Sequence, residues 1–81
     1  MNAGSRVALV VAHDGQWRLC GATVVHCGGE VTHVEADGPD LVPDEAVVGV
    51  IDGADGSTLL AVVTGRPGPS VLVLSSVAPL R

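Results

Sequence analysis

The sequence contains no phenylalanine, tyrosine or lysine, and it has one residue each of tryptophan, methionine, isoleucine and asparagine. Aromatic side chains bury about 150–250 Å² each and usually dominate a core, so their near absence excludes a core built around aromatic rings. Valine supplies sixteen residues, glycine eleven and alanine nine. Phenylalanine, tyrosine, lysine, methionine, isoleucine and asparagine have AT-rich codons, and the abundant residues have GC-rich codons. The bias therefore indicates the genome of a high-GC bacterium or of one of its phages.

Positive charge and long apolar runs are scarce as well. Four arginines face nine acidic residues, and the net charge of −5 repels phosphate backbones, so we expect no nucleic acid as a partner. The longest apolar run, Val7–Ala12, is too short for a signal-peptide core or for a membrane span of about 20 residues. We therefore expect a soluble protein with no targeting segment and no membrane partner.

Cysteine is limited to two residues, which is too few for a disulfide scaffold. This count favours a reducing cytoplasm, or a virion if a phage encodes the chain. The 81 residues, 47 % of them hydrophobic, form one small domain over 1–81. Such a domain hides only about 60 % of the surface that its unfolded chain exposes. We expect self-association or docking on a protein partner to complete this thin aliphatic core.

Short valine-rich stretches alternate with turns that carry glycine, proline and aspartate, which is typical of β-strands. Asp14-Gly15 and Gly28-Gly29 are two-residue turn signals that suit a right-twisted hairpin. The first three strands and the last three should each form an antiparallel meander. The pattern predicts an all-β fold, a small six-stranded antiparallel barrel or sandwich, with strands over Arg6–Ala12, Trp17–His26, Glu30–Ala36, Ala46–Ile51, Thr58–Thr64 and Val71–Ala78.

One segment permits a different architecture. Pro43-Asp44-Glu45 has the features of a helix start, with proline in the first turn and carboxylates near the positive end of the helix dipole. The residues that follow are mainly valine and glycine, which are poor helix formers, so a strand is favoured. The alternative is an α+β fold with three strands, a helix over 43–52 and two further strands.

The predicted turns set a register and assign side chains to two sheet faces. Leu9 should lie opposite Cys20, Val11 opposite Arg18, Val24 opposite His33, and His26 opposite Val31. One face then carries Val7, Leu9, Val11, Cys20, Val24, His26, Val31 and His33, and the other carries Ala8, Val10, Ala12, Trp17, Leu19, Val25, Cys27 and Val34. Both faces are largely apolar, so we expect a second layer on one and a neighbouring chain on the other, with Leu9 and Val11 in that interface.

Five residues that can bind metals fall within 21 positions of the sequence, namely His13, Cys20, His26, Cys27 and His33. Structural zinc sites usually place ligand pairs on a tight turn, and this spacing does not. Cys20 and Cys27 lie about 20 Å apart along one strand at about 3.3 Å per residue, which also argues against a disulfide. Only His26 and His33 converge, as a diagonal pair with Glu35 farther along the face. We predict no metal site and no cofactor.

Other candidate sites are weaker. A nucleophilic Cys27 needs a nearby base, and the adjacent His26 points to the opposite face of a strand. The loops at Asp52–Gly56 and Gly65–Pro69 lack the lysine of a phosphate-binding loop. Acidic residues could converge at one end of the domain but lack the closing glutamate of a calcium loop, and a solvated acidic loop explains them better. They are Asp37, Asp40, Asp44, Glu45, Asp52 and Asp55.

Trp17 and Arg18 follow the first turn and point to opposite faces. A single tryptophan in an aliphatic protein is a core filler in one interpretation. In the other it anchors an interface, where tryptophan and arginine are over-represented. We predict a non-enzymatic accessory or structural subunit, with no catalytic residues, that acts by self-association or by docking on a protein partner. The alternative is a small-ligand or metal-binding regulatory module that uses the His26/His33 face.

Overall fold

The chain forms a closed six-stranded antiparallel β-barrel in the computed structural model, which describes residues 2–79. The strand order around the barrel is β1-β2-β3-β6-β5-β4. Two meanders, β1–β3 and β4–β6, meet along the β3–β6 and β1–β4 seams, as the predicted all-β barrel requires. The strands are β1 (Arg6–His13), β2 (Gln16–Gly28), β3 (Val31–Ala36), β4 (Val47–Asp52), β5 (Thr58–Gly65) and β6 (Val71–Pro79).

The first hairpin follows the predicted register. Asp14 and Gly15 have φ angles of 51° and 74°, the left-handed values that a two-residue hairpin turn requires at both central positions. Leu9 pairs with Cys20 and Val11 with Arg18. The Asp-Gly dipeptide therefore aligns β1 with β2.

The second hairpin differs from the prediction in both its turn and its register. The turn is Gly29-Glu30 rather than Gly28-Gly29, and a β-bulge interrupts the pairing between Val24 and His26. An extra residue in one strand moves every later side chain to the opposite face. The predicted pairs Val24–His33 and His26–Val31 are wrong: the observed pairs are Val24–Val34 and His26–His33. His26, Val31 and His33 therefore point outward, and Val34 points into the core.

The alternative helix over 43–52 is wrong, and the described chain contains no α-helix. Proline 43 begins a turn in which the Ala46 amide donates to the Pro43 carbonyl, and Glu45 has a left-handed φ of 64°. β4 then begins at Val47. The only helical segment among residues 2–79 is a 3₁₀ turn over Pro39–Leu41. The valine-rich segment after this turn forms β4 and pairs with β1 and β5. This pairing stabilises a strand where Pro43-Asp44-Glu45 alone would favour the start of a helix.

The barrel interior is filled by aliphatic side chains with Cys20 among them. Six strands enclose a narrow space, and leucine, valine and alanine fill it without an aromatic ring. The largest fully buried side chains come from five of the six strands and the β3–β4 loop. The expected interface on the face of Leu9 and Val11 is therefore wrong, because both residues are fully buried in the core. The buried apolar residues are Val7, Leu9, Val11, Cys20, Ala22, Val24, Val34, Ala36, Val42, Ala46, Val48, Val50, Ala61, Val63, Leu72 and Leu74.

The loop between β3 and β4 contributes two of these buried side chains, Val42 and Ala46, to the core. Arg66 holds this loop in place. Its guanidinium donates to the carboxylate of Asp44 and to the backbone carbonyls of Pro39 and Val42. Three contacts from one side chain thus join the β5–β6 connection to the loop. Within residues 2–79 there is also no helix long and apolar enough to cross a membrane.

Leu9 and Leu19 test the division between inner and outer positions, because they are the same residue on paired strands. Leu9 is fully buried and Leu19 is 71 % exposed. We expect Leu9→Ala to lower the free energy of unfolding by about 2–5 kcal/mol, because it leaves a cavity in a small core. Leu19→Ala should change it by about 0.5 kcal/mol or less, as is usual at an exposed position. Urea denaturation of dilute protein measures both changes in the free energy of unfolding. Equal changes for the two variants would contradict the assignment of Leu9 to the inside of the barrel and Leu19 to the outside.

Candidate functional site

The outer side of β1, β2, β4 and β5 forms a continuous apolar surface, here called the apolar face. Cross-strand pairing aligns its outward residues in three rows of four, and none of these twelve positions carries a charged side chain. The first row is Trp17, Ala12, Val47 and Val62, the second is Leu19, Val10, Gly49 and Leu60, and the third is Gly21, Ala8, Ile51 and Thr58. A soluble barrel usually presents polar residues on its outer side, so this face is unusual.

Three side chains of the apolar face are strongly exposed. The exposed fractions are 75 % for Trp17, 71 % for Leu19 and 44 % for Val47. Trp17 is therefore not a core filler, and the interface interpretation of this residue remains. Arg18 lies beside it on β2 opposite the buried Val11, yet it is exposed, and this part of β2 pairs with β1 alone because β3 begins to pair only at Ala22. The largest side chain of the protein thus projects into solvent at the edge of an uncharged surface.

Gly49 creates a groove in the middle of this face. It lies between Val10 of β1 and Leu60 of β5 in the central row. Without a side chain at this position, the neighbouring residues surround an open groove of about 270 Å³. Thr58 is the only lining residue with a polar side chain. The groove is lined by Val10, Ala12, Trp17, Val47, Gly49, Ile51, Thr58 and Leu60.

An ion pair forms the border of the apolar face at its third row. Nη2 of Arg6 lies 2.6 Å from Oδ2 of Asp37, and the pair passes directly over Gly21. The hydrogen bond and the positive charge of Arg6 lower the pKa of Asp37, and Asp37 in turn raises the pKa of Arg6. A Cβ at position 21 would lie 2.7 Å from the Asp37 carboxylate and 2.8 Å from the Arg6 guanidinium. Glycine at this position therefore makes room for the ion pair.

The five histidine and cysteine residues singled out in the sequence are not brought together by the fold. His13 pairs with Asp14 at the first turn, with Nε2 3.2 Å from Oδ2, and Cys20 is buried in the core. Cys27 is exposed and contacts the Thr32 hydroxyl at 3.8 Å, and both thiols are free. Across residues 2–79, no three histidine, cysteine or acidic side chains are placed to hold a metal ion together.

His26 and His33 form a direct cross-strand pair rather than the predicted diagonal one. Their ring centroids are 5.6 Å apart in an edge-to-face arrangement. Both point outward as a consequence of the bulge at Val25, on the barrel side formed by β2 and β3. The pair supplies two imidazoles, whereas a structural zinc site uses four ligands.

The acidic residues do not converge either. Asp44 and Glu45 precede β4, whereas Asp52 and Asp55 follow it, so the six-residue strand separates the two groups. Asp52 is buried and accepts a hydrogen bond from the Ala54 amide, which shapes the β4–β5 turn. Hydrogen bonds from Ser57 lower the pKa of Asp55 in the same turn. Asp44 is held by Arg66. These carboxylates therefore organise loops.

A wide groove beside the β5–β6 connection, lined by Asp44, Glu45 and residues 62–66, has a volume of about 640 Å³. Its one cation, Arg66, already contacts Asp44 and two backbone carbonyls. The groove is therefore occupied by the loop anchor and offers no free positive group to an acidic ligand.

Sequence reasoning identified the β1 and β2 members of the apolar face but missed those on β4 and β5. Their alternation of apolar residues was visible in the sequence, but the pairing of β1 with β4 that brings them beside Val10 was not. Comparisons with family models, curated proteins and solved structures find no match to this chain. The apolar face is the surface feature that most needs a functional explanation.

The Arg6–Asp37 ion pair predicts a pKa change on substitution of Gly21. Gly21→Ala places a Cβ where both charged groups now lie, so the pair should separate and the pKa of Asp37 should rise toward its ordinary value. Titration of the Asp37 carboxyl by NMR measures this change. Gly65→Ala is the control, because a Cβ at Gly65 meets Val73 at an ordinary 3.7 Å. An unchanged Asp37 pKa in the Gly21 variant would contradict the described geometry.

The histidine pair predicts a negative result with zinc. A ligand that binds only the folded protein raises its melting temperature. Two imidazoles without further ligands should give no such rise, so we expect equal melting temperatures in excess zinc and in chelator. The same should hold for the double variant His26→Asn/His33→Asn. A zinc-dependent rise in the parent that disappears in the double variant would show that the pair binds metal.

Proposed function

We propose that this protein acts without catalysis, by associating with itself or with a protein partner through the apolar face, as an accessory or structural subunit of a high-GC bacterium or phage. The observation that carries the proposal is that none of the twelve outward positions bears a charged side chain, with the Arg6–Asp37 ion pair reaching only Gly21 at the border, together with the 75 % exposure of Trp17. Tryptophan is among the residues whose loss costs most at protein interfaces.

The closed barrel supports contact through side chains rather than through the backbone. Proteins that bind by strand addition use an exposed sheet edge. Each of the six strands described here pairs with two neighbours. Only the Gln16–Cys20 part of β2 pairs with β1 alone in the described barrel. A partner therefore mainly meets the outer side chains of the sheet, and contact on the apolar face removes apolar area from water.

The size of the face supports a small interface. With strands about 4.8 Å apart and rows about 6.7 Å apart, twelve positions cover about 400 Å². The largest apolar patch of a typical monomer is about 300–600 Å² and is often functional. Standard interfaces use about 800 Å² per partner, and weaker, transient ones use less. Association through this face should therefore be reversible and depend on concentration.

A second candidate function is a regulatory module that binds a metal or small ligand at the His26/His33 pair. The direct pairing of the two rings favours it. Its weakness is that no third ligand stands close to them in the described chain. The zinc experiment above decides on the metal version of this candidate.

Leu19→Asp tests the proposal because it places a charge on the apolar face, at a position that is exposed in the monomer. Burying an unpaired charge costs several kcal/mol, so the variant should keep the parent's circular dichroism and lose association. Trp17→Ala should weaken association by about 2 kcal/mol, roughly thirtyfold. Sedimentation equilibrium across a wide concentration range measures both effects.

Val77→Asp is the matched control for this experiment. Val77 is 61 % exposed at the β5–β6 bulge, one strand beyond the Leu60 end of the apolar face and four strands from Leu19 across that face, so the same charge there should weaken association far less than Leu19→Asp does. Asp40→Asn in the β3–β4 loop should also have no effect, because an exposed loop charge contributes little. A parent that sediments as a monomer at every concentration and purifies without a partner would remove the basis of the proposal.

A further inference from the structure

We infer that the occupant of the apolar face is a second copy of this chain, in a two-fold arrangement that places Trp17 of each protomer in the Gly49 groove of the other. This inference rests on the proposed function and specifies its partner. It follows from three features of the face, which are an unexplained glycine, a protruding tryptophan and the absence of charge.

Gly49 has no explanation within its own barrel. A glycine inside a strand weakens it, by about 0.5–1 kcal/mol in such positions, and it commonly marks a bulge or a close approach by another molecule. The pairing of Gly49 with Val10 and Leu60 is continuous, so there is no bulge here. A Cβ at this position would meet Val10 at 3.8 Å, an ordinary contact, and the φ angle is not left-handed.

Gly21, in the same face, shows the contrast. Its missing side chain makes room for the Arg6–Asp37 ion pair of the same protomer. Gly49 makes room for nothing in the protomer. The open groove of about 270 Å³ over it is smaller than the usual small-molecule pocket of about 300–1,000 Å³. With almost no polar lining, it suits one large apolar side chain.

The protein carries such a side chain on the same face. Trp17 lies two strands and one row away from Gly49. The face curves around the barrel, but Trp17 and Gly49 both line the same groove, and two points that lie so close on one surface are exchanged by a two-fold axis tangent to that surface midway between them. One such axis, near Val10 and Ala12, brings both Trp17 side chains over the opposite Gly49. A closed, self-complementary contact of this kind is the commonest form of oligomer.

Charge permits a second copy. Two protomers with a net charge of −5 each repel one another, but none of the twelve positions bears a charged side chain, and the charges nearest to them, Arg6 and Asp37 over Gly21, neutralise each other. The remaining repulsion falls off over about 8 Å at physiological ionic strength. Added salt should therefore strengthen the homodimer, whereas it would weaken docking of this acidic protein on a basic partner.

Gly49→Val tests the inference by changing two quantities in opposite directions. Filling the groove should abolish the dimer, while valine, a better strand former than glycine, should raise the monomer's resistance to urea. Gly65→Val is the matched control, a strand glycine outside the face, and it should leave the dimer intact. A Gly49→Val variant that dimerises as the parent does would overturn the inference.

A cross-linking experiment tests the geometry and does not depend on that variant folding. One chain carries Trp17→Cys, the other carries Gly49→Cys, and both carry Cys27→Ser to remove the exposed thiol. The mixed dimer keeps one intact tryptophan-in-groove contact, and the space that the missing indole leaves is too wide for a direct disulfide, so a short bismaleimide should cross-link mainly unlike chains. Dimers that cross-link only as identical chains, or not at all, would overturn the proposed arrangement.

Sedimentation separates failure of this inference from failure of the proposed function. If the parent stays monomeric but a purified complex with another protein dissociates on Leu19→Asp, the face docks a different partner and only this inference fails. If the parent stays monomeric and no complex depends on Leu19, both fail. A homodimer that strengthens with salt, with Trp17 emission shifting to shorter wavelength at the same concentrations, is the expected result.

Discussion

Closure of a six-stranded barrel is the constraint on which the rest of this structure depends. It pairs every strand on both sides, and it leaves an interior so narrow that aliphatic side chains fill it. The lack of phenylalanine and tyrosine therefore does not leave the core incomplete. The single tryptophan pairs with Ala12 at an outward register position and projects into solvent.

Closure also determines where an interaction surface can lie. Each strand has a neighbour on both sides, and in the described barrel only the overhanging Gln16–Cys20 part of β2 pairs with β1 alone. Little backbone edge is therefore left for pairing with another chain, and contact must come mainly through side-chain surfaces. Alternating valine, leucine and alanine along β1, β4 and β5 supply both surfaces: inward residues such as Leu9 make the core, and outward residues such as Val10 make the apolar face. Burial of the inward side chains stabilises the monomer, whereas the outward side chains can be buried only by a partner.

Much of the fold was predictable from the sequence, and the errors have local causes. Asp14-Gly15 permits one tight turn, so the β1–β2 register was correct. Gly28-Gly29-Glu30 allows the two central turn residues to be either Gly28-Gly29 or Gly29-Glu30. The β-bulge at Val25 could not be predicted from the sequence, because valine suits a regular strand equally well. Those two features moved His26 and His33 to the outside. For the candidate site, Trp17 and Leu19 were identifiable, but Gly49 became meaningful only when the β1–β4 pairing placed it beside Val10.

Two glycines with similar backbone conformations show why the site had to come from the three-dimensional structure. In the sequence, Gly21 and Gly49 are both single interruptions of a valine-rich stretch. In the fold, Gly21 lies under an ion pair, so its own protomer accounts for it. Gly49 lies under open solvent at the centre of an uncharged surface, where a side chain would fit without strain. A strand residue that weakens the monomer and relieves no contact within it is best explained by a contact outside it, and Trp17 of a second copy is the group on this surface that fills the space.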